Sequence, residues 1–258
     1  MALNGATLRV NNMNSAVETV TEHFYPSQAE MLEALTAYCQ QALDQACADN
    51  NEASFLVSGG SSPAPLYQRL AKLDLPWQKI SVALVDERWV DKDHEASNHA
   101  FIEKTLLQDK AAACRFIPMK TAAASAQAGL DEASANYHEL PQPWDLTILG
   151  MGKDGHTASL FPDAQGLEQA LKIGENLETQ ATLAAITANP SEVTGDNLER
   201  ITLSLAGLLQ SRQLILLISG DEKLAVYRQA QTLADSHKMP VGAVLKQDKV
   251  PVHVFWAP

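Results

Sequence analysis

Trp144-Asp145-Leu146-Thr147-Ile148-Leu149-Gly150-Met151-Gly152-Lys153-Asp154-Gly155-His156-Thr157 is an apolar run that breaks into three closely spaced glycines, an acid and a histidine. A short, continuous apolar stretch bounded by turn formers reads as a strand covered on both faces. Glycines directly behind it let the chain turn sharply and bring its backbone close to a ligand. The spacing G-x-G-x-x-G is that of a dinucleotide-binding turn. Here, however, the charged pair Lys153-Asp154 stands where the backbone would approach a pyrophosphate, and the motif lies late in the chain. His156 follows the turn-forming Gly155 and lies two residues after Asp154, a carboxylate within reach of its ring. Histidine is the commonest general acid or base, so His156 is the candidate proton carrier and Asp154 the group that orients it.

The same order of strand, loop and helix recurs on either side. Ser27-Gln28-Ala29-Glu30 is a capping box, with hydroxyl and carboxylate placed to satisfy free amides at the start of a long amphipathic helix reaching about Ala48. Ala53 to Ser58 is an apolar run ended by Gly59-Gly60-Ser61-Ser62, and Leu66, Leu70 and Leu73 follow at helical spacing. Ile80 to Val85 reads as a strand, Asp86 to Glu95 as a polar loop, and Ser97 as the cap of a further helix. A short strand near Arg115 to Ile117 and an Ala-rich helix from about Ala122 to Leu140 precede the central motif. Strands over Thr182 to Thr187, Arg200 to Leu205, Gln213 to Ser219 and Val252 to Trp256 follow it. Apolar strands alternating with helices predict an α/β fold: an open, mostly parallel sheet with helices on both faces, in a single domain over residues 1–258. In such a sheet ligands bind at the loops after the carboxyl ends of the strands. The stretch from Ala188 to Glu199, with Asn189-Pro190 and Gly195-Asp196-Asn197, reads as a surface loop.

Composition narrows the function. Lys plus Arg number 19 against 31 Asp plus Glu, a net charge of −12, and nucleic-acid binders instead carry a basic footprint. No apolar stretch approaches the roughly 18 residues of a membrane span, and residues 1–20 lack the basic-then-apolar order of a secretory signal. The three cysteines, Cys39, Cys47 and Cys114, form no C-x-x-C pair and read as free thiols of a reducing compartment, so the expected location is cytoplasmic. The acidic run Asp91 to Glu95 lacks the Gly and distal Glu of a calcium loop, and no spacing suggests a metal.

Four further segments gather polar residues just past or beside strands. Ser58 to Pro63 offers small residues and backbone amides, either an anion cradle including Gly59, Gly60 and Ser61 or a plain strand-to-helix turn. Asp86-Glu87-Arg88-Trp89-Val90 sets two carboxylates and a guanidinium at a strand end. Arg200-Ile201-Thr202 and Gly220-Asp221-Glu222-Lys223 each add a cation. No G-x-S-x-G elbow is present, against a serine hydrolase of the α/β type.

Taken together, Gly59 to Pro63, Asp86 to Val90 with Ser97-Asn98, Gly150 to Pro162, Arg200 to Leu203 and Gly220 to Lys223 resemble the 6-phosphogluconolactonase family. The match runs from about Phe55 to Tyr227 in the family's order. The resemblance implies hydrolysis of a sugar-phosphate lactone without cofactor or metal, on the modified open α/β sheet shared with glucosamine-6-phosphate deaminase and ribose-5-phosphate isomerase. It implies that His156 is base and later proton donor, oriented by Asp154. It also implies that Arg88, Arg200 and Lys223 hold the phosphate, with Gly59, Gly60, Ser61 and Asp86 completing the binding site. The implied partner is the small-molecule lactone, with no nucleic acid and no membrane; an oligomeric partner is left open. Two rivals exist. A glucosamine-6-phosphate deaminase shares the Asp-Gly-His loop, but there Ile-Ala-Phe-Asn-Glu-Pro follows the His, against Thr157 to Pro162 here. A sugar-phosphate-sensing repressor domain would need a helix-turn-helix, for which residues 1–26 are too short and too weakly basic.

Overall fold

All residues of the strands β2 (Ala53–Val57), β3 (Ile80–Leu84) and β6 (Leu146–Leu149) are buried in the computed structural model, which describes residues 19–174, 177 and 180–258. Side chains of a strand alternate between faces, so complete burial means that the sheet is covered on both sides. With β1 (Val20–Phe24), β5 (Arg115–Ile117), β9 (Leu214–Ser219) and β10 (Val252–Ala257) these strands form a seven-stranded sheet in the order β1-β10-β9-β6-β2-β3-β5. Every neighbouring pair in it is parallel. The fold is the open α/β sheet that the sequence predicts.

Helix α1 (Gln28–Asn50) buries Met31, Leu35, Cys39, Leu43, Ala46 and Cys47, a spacing of three and four that marks one face. All three cysteines are free thiols, Cys39 and Cys47 buried. Ser27 caps this helix by accepting from the Glu30 amide. The Glu30 carboxylate takes the Ser27 hydroxyl at 2.9 Å rather than a backbone amide, which modifies the expected capping box. The further helices among the described residues are α2 (Ala64–Leu70), α3 (Asn98–Thr105), α4 (Ala126–Tyr137), α5 (Leu167–Ala170), α6 (Leu205–Leu208), α7 (Asp221–Thr232) and α8 (Val241–Lys246), of which α4 is shorter than its alanines suggest because Ser125 stops and caps it.

Three features depart from the expected layout. Asp86–Arg88, expected within a polar loop, forms a strand, β4. The runs β7 (Leu183–Thr187) and β8 (Glu199–Leu203), expected in the main sheet, join β4 in a separate antiparallel sheet of order β4-β8-β7. Its pairing is antiparallel throughout, with Asp86 opposite Thr202, Glu87 opposite Ile201 and Arg88 opposite Arg200. Edge strand β1, absent from the sequence reading, pairs with β10 from Val20 opposite Val252 to Phe24 opposite Trp256. The N-terminal readings, on a leader and on a helix-turn-helix, concern residues that mostly lie outside those described. No helix among the described residues is long and apolar enough to cross a membrane.

Candidate active site

Strands β9, β6 and β2 are neighbours in the sheet, so the loops behind them share one edge. These loops carry Lys223, His156 and the Gly59-Gly60-Ser61 run. Beside that edge the small sheet presents Asp86, Arg88 and Arg200. The result is one cleft of about 260 Å³, lined among others by Gly59, Gly60, Ser61, Asp86, Arg88, His156, Arg200 and Lys223. Asp154 does not line it; it stands behind the imidazole.

The histidine is held tightly. Its Nδ1 lies 2.6 Å from Asp154 Oδ1, and the same oxygen accepts from the His156 amide at 3.1 Å. Burial pushes the Asp154 carboxyl up, but the hydrogen bonds and charge of His156 outweigh it and hold the group below its ordinary range. An ionised Asp154 that accepts the Nδ1 proton leaves Nε2 as the basic nitrogen. Gly152 packs beneath: a Cβ there would lie 2.1 Å from both Cε1 and Nδ1 of His156. Gly155, with φ of +78°, makes the turn that a side chain would strain. Beyond the histidine, Thr157 Oγ1 donates to Gly150 O at 2.8 Å, and the Ser159 hydroxyl donates to Asp86 Oδ2 at 2.6 Å. The histidine loop is thus tied to the end of β6 and to β4.

The second glycine loop needs its residue type for close approach. A Cβ on Gly59 would fall 1.9 Å from Oδ1 of Asn98, and Gly60 has φ of +93°. Asn98 opens helix α3 (Asn98–Thr105), and its Nδ2 donates to Asp86 O at 2.8 Å. What fixes this helix start is Glu87, 1% exposed. Its carboxylate accepts from the amides of Arg88, Asn98 and His99 at 2.7 to 2.8 Å and from the Ser97 hydroxyl at 3.1 Å. Burial pushes the Glu87 carboxyl up, and these amides pull against it. Of the two adjacent carboxylates, then, Asp86 faces the cleft and Glu87 supports the wall.

The cations come together differently from the sequence expectation. Arg88 and Arg200 do not sit on the rim of the parallel sheet; they are direct cross-strand partners in the small antiparallel one. Like charges directly opposite on such a pair destabilise it. Burial first, and the Arg88 charge second, bring Arg200 down to about 10, with Asp86 and Glu87 opposing. Two of its nitrogens are committed to the 188–199 loop, Nε to Asn197 O at 2.6 Å and Nη2 to Thr194 O at 2.8 Å. Arg88 Nη1 donates to Ala96 O, and its buried Nε has no partner among the described residues. Lys223 stands in the first turn of α7 (Asp221–Thr232), behind Gly220. Burial lowers its ammonium, as does the charge of Lys153, which pairs with Glu222 at 2.6 Å.

Asn98, Phe161 and Val193 also line the cleft and escaped the candidate list. Asn98 and Phe161 fall within the segments that carry the family resemblance, whereas Val193 belongs to a loop with no sequence signal for ligand contact. Among the described residues no three His, Cys, Asp or Glu side chains are grouped as a metal site would need.

Comparison with known proteins gives a consistent picture. The family described as glucosamine-6-phosphate isomerases/6-phosphogluconolactonase matches residues 26–256. The 6-phosphogluconolactonase of Rhizobium meliloti is 36% identical over 236 residues, covering 92% of this chain and 98% of that one. Its counterpart from Pseudomonas aeruginosa is 37% identical over 232 residues, with coverages of 90% and 92%. The crystal structure of a 6-phosphogluconolactonase from Shewanella baltica superposes with a TM-score of 0.86 at 39% identity, over 95% of this chain and all of that one.

Proposed function

Because the chain belongs to the glucosamine-6-phosphate isomerase/6-phosphogluconolactonase family, we propose that it hydrolyses 6-phosphoglucono-δ-lactone to 6-phosphogluconate in the pentose phosphate pathway, with His156 carrying the protons. The observation that carries the substrate assignment is the juxtaposition of Arg88 and Arg200 beside an imidazole whose Nδ1 is held by a carboxylate. Two guanidiniums placed opposite each other are costly without an anion, and a phosphate relieves both.

A δ-lactone is an activated cyclic ester. Water attacks the carbonyl carbon while His156 Nε2 accepts its proton, Asp154 stabilising the imidazolium. The tetrahedral intermediate collapses with cleavage of the bond to the ring oxygen, which receives that proton from His156. Arg88, Arg200 and Lys223 hold the phosphate, Gly59, Gly60 and Ser61 present backbone and hydroxyl donors, and Asp86 accepts from sugar hydroxyls. One domain houses the activity, in the cytoplasm, without nucleic acid or membrane.

Lactone generated in situ should disappear faster with the protein than without it, and with no added metal. A rate equal to the spontaneous background would overturn the reading; activity lost in EDTA and restored by zinc or magnesium would overturn its metal-free part. His156→Ala should lower kcat by about 10²- to 10⁴-fold with little change in KM, and Asp154→Asn should do less.

A further inference from the structure

Phe161 is the only phenyl ring among the described residues lining the cleft, and it is 4% exposed. Its centroid lies 4.4 Å from that of the His156 imidazole, tilted by 38°. The same ring has the Arg200 guanidinium carbon 5.4 Å from its centroid. One buried aromatic side chain therefore touches both the imidazole and a guanidinium of the cleft.

The position of the ring is set by the backbone around it. Ala158 takes a left-handed conformation, with φ of +48°, and Leu160 and Phe161 donate back to Thr157 O and Ser159 O at 3.0 and 3.1 Å. The Ser159 amide donates to Thr202 Oγ1 at 3.1 Å, pinning this turn to β8, two residues from Arg200. A non-glycine residue at positive φ is uncommon and persists where the surroundings over-determine it. Asp154 restrains the imidazole through one ring nitrogen, which leaves rotation about that hydrogen bond open; contacts on the ring faces remove it. Gly152 and Phe161 supply such contacts, and only Phe161 also contacts a group of the anion subsite. The negative face of an aromatic ring attracts cations, imidazolium and guanidinium alike.

We infer that Phe161 is a positioning residue, which holds the His156 imidazole in its reactive orientation and ties that orientation to the Arg200 guanidinium. This rests on the roles given to His156 and Arg200 in the proposed function. With the guanidinium pinned by Asn197 O and Thr194 O, an anion that settles on Arg200 acts on the imidazole through the ring they share.

The test uses the full-length protein, its Phe161→Leu and Phe161→Tyr variants, and the imidazole proton–nitrogen NMR signals of His156 with inorganic phosphate as the probe. Phe161→Leu should lower kcat about tenfold, with KM within about threefold of wild type, since loss of one such contact falls in that range. Phe161→Tyr, which keeps the ring, should retain at least about half of kcat, a level the same contact range allows. Saturating phosphate should move the His156 signals in the wild type and in Phe161→Tyr, and fail to move them in Phe161→Leu. Wild-type kcat and signals in Phe161→Leu would overturn the inference, as would equal losses in kcat and KM with no rescue by tyrosine. His156 signals blind to bound phosphate in the wild type would overturn the link to Arg200. Should the wild type show no lactonase rate, the proposed function fails, and the NMR comparison alone decides the positioning role.

Discussion

At the scale of single residues, close approach governs the His156–Asp154 pair. Gly152 is a glycine because a methyl group would collide with the His156 ring at 2.1 Å and with Asp154 Oδ1 at 2.5 Å. The atoms in the way belong to partly exposed side chains that give only by breaking the His156–Asp154 hydrogen bond and swinging the ring, a local loss that should cost Gly152→Ala little of the whole fold's stability. The swing is what damages the enzyme, since a misplacement of about 1 Å in a reacting group costs on the order of 100-fold. We expect Gly152→Ala to reduce kcat by that order while leaving both KM and the melting temperature close to wild type. A variant with full kcat would show that the imidazole does not need its observed place.

Elements, rather than residues, explain how the cleft is charged and kept open. The β4–β8 pair sets Arg88 against Arg200, and α7 brings Lys223 to the same cleft. Removing any one of the three should raise KM about 10- to 150-fold, the equivalent of a charge-assisted hydrogen bond of about 1.5–3 kcal/mol. Unphosphorylated glucono-δ-lactone should be a poor substrate whose kinetics ignore the Arg88 and Lys223 replacements. Lys172→Ala and Lys249→Ala, exposed and outside the cleft, should leave KM unchanged. Equal damage to both lactones would refute the phosphate assignment. The start of α3 depends in turn on Glu87, which takes four donors. Glu87→Ala strands those donors in a buried place, at about 1–3 kcal/mol for each one that water cannot reach. The melting temperature should fall by at least about 4 °C, a shift that about 2 kcal/mol produces in a chain of this size. Asn98 and the Gly59 loop should then lose their register, which weakens substrate binding as well.

For the whole molecule, the charge of −12 opposes an anionic substrate, so on the proposed function affinity is expected to rest on the local cations, with more distant charges screened beyond about 8 Å. The pH dependence of stability is also a property of the entire fold. His23 and His253 lie on the adjacent strands β1 and β10 with ring nitrogens 3.1 Å apart. Burial lowers His23; burial first and then His23 lower His253; burial also lowers His99, against the pull of Glu103. Because each protonates less readily folded than unfolded, the unfolded chain takes up protons first as the pH falls. Stability that is whole above about 6.5, the ordinary histidine value, is therefore lost progressively below it. Glu22, held down chiefly by Arg228, and Asp154 add the same trend below the ordinary carboxylate range. Melting temperatures should drop from pH 7 to pH 5, and His253→Gln should flatten that drop. An equal drop in the variant would place the proton uptake elsewhere.

The strands of the main sheet other than β1, the glycine loops and the His156–Asp154 pair were legible in the sequence because each is local. An apolar run ending in glycine states its own conformation, and Asp154 reaches His156 across two residues. The residues alone pointed to an anion-binding loop and to His156 as a candidate proton carrier, and it was the resemblance of the combined loops to a known family that added the phosphate-bearing lactone. What the sequence could not state is pairing between distant segments. Three polar residues, Asp86-Glu87-Arg88, have no period from which a strand can be read, and become one only because β8 lies alongside. The same holds for β1, whose mixed residues pair with a strand at the opposite end of the chain. Only the tertiary structure decided that Arg88 faces Arg200, that Asp86 looks into the cleft while Glu87 supports its wall, and that Phe161 touches both imidazole and guanidinium. The physical reason is that hydrogen-bond register and packing join residues of separate segments, 112 positions apart for Arg88 and Arg200 and 39 for Phe161 and Arg200, and no local propensity records which partner they will meet.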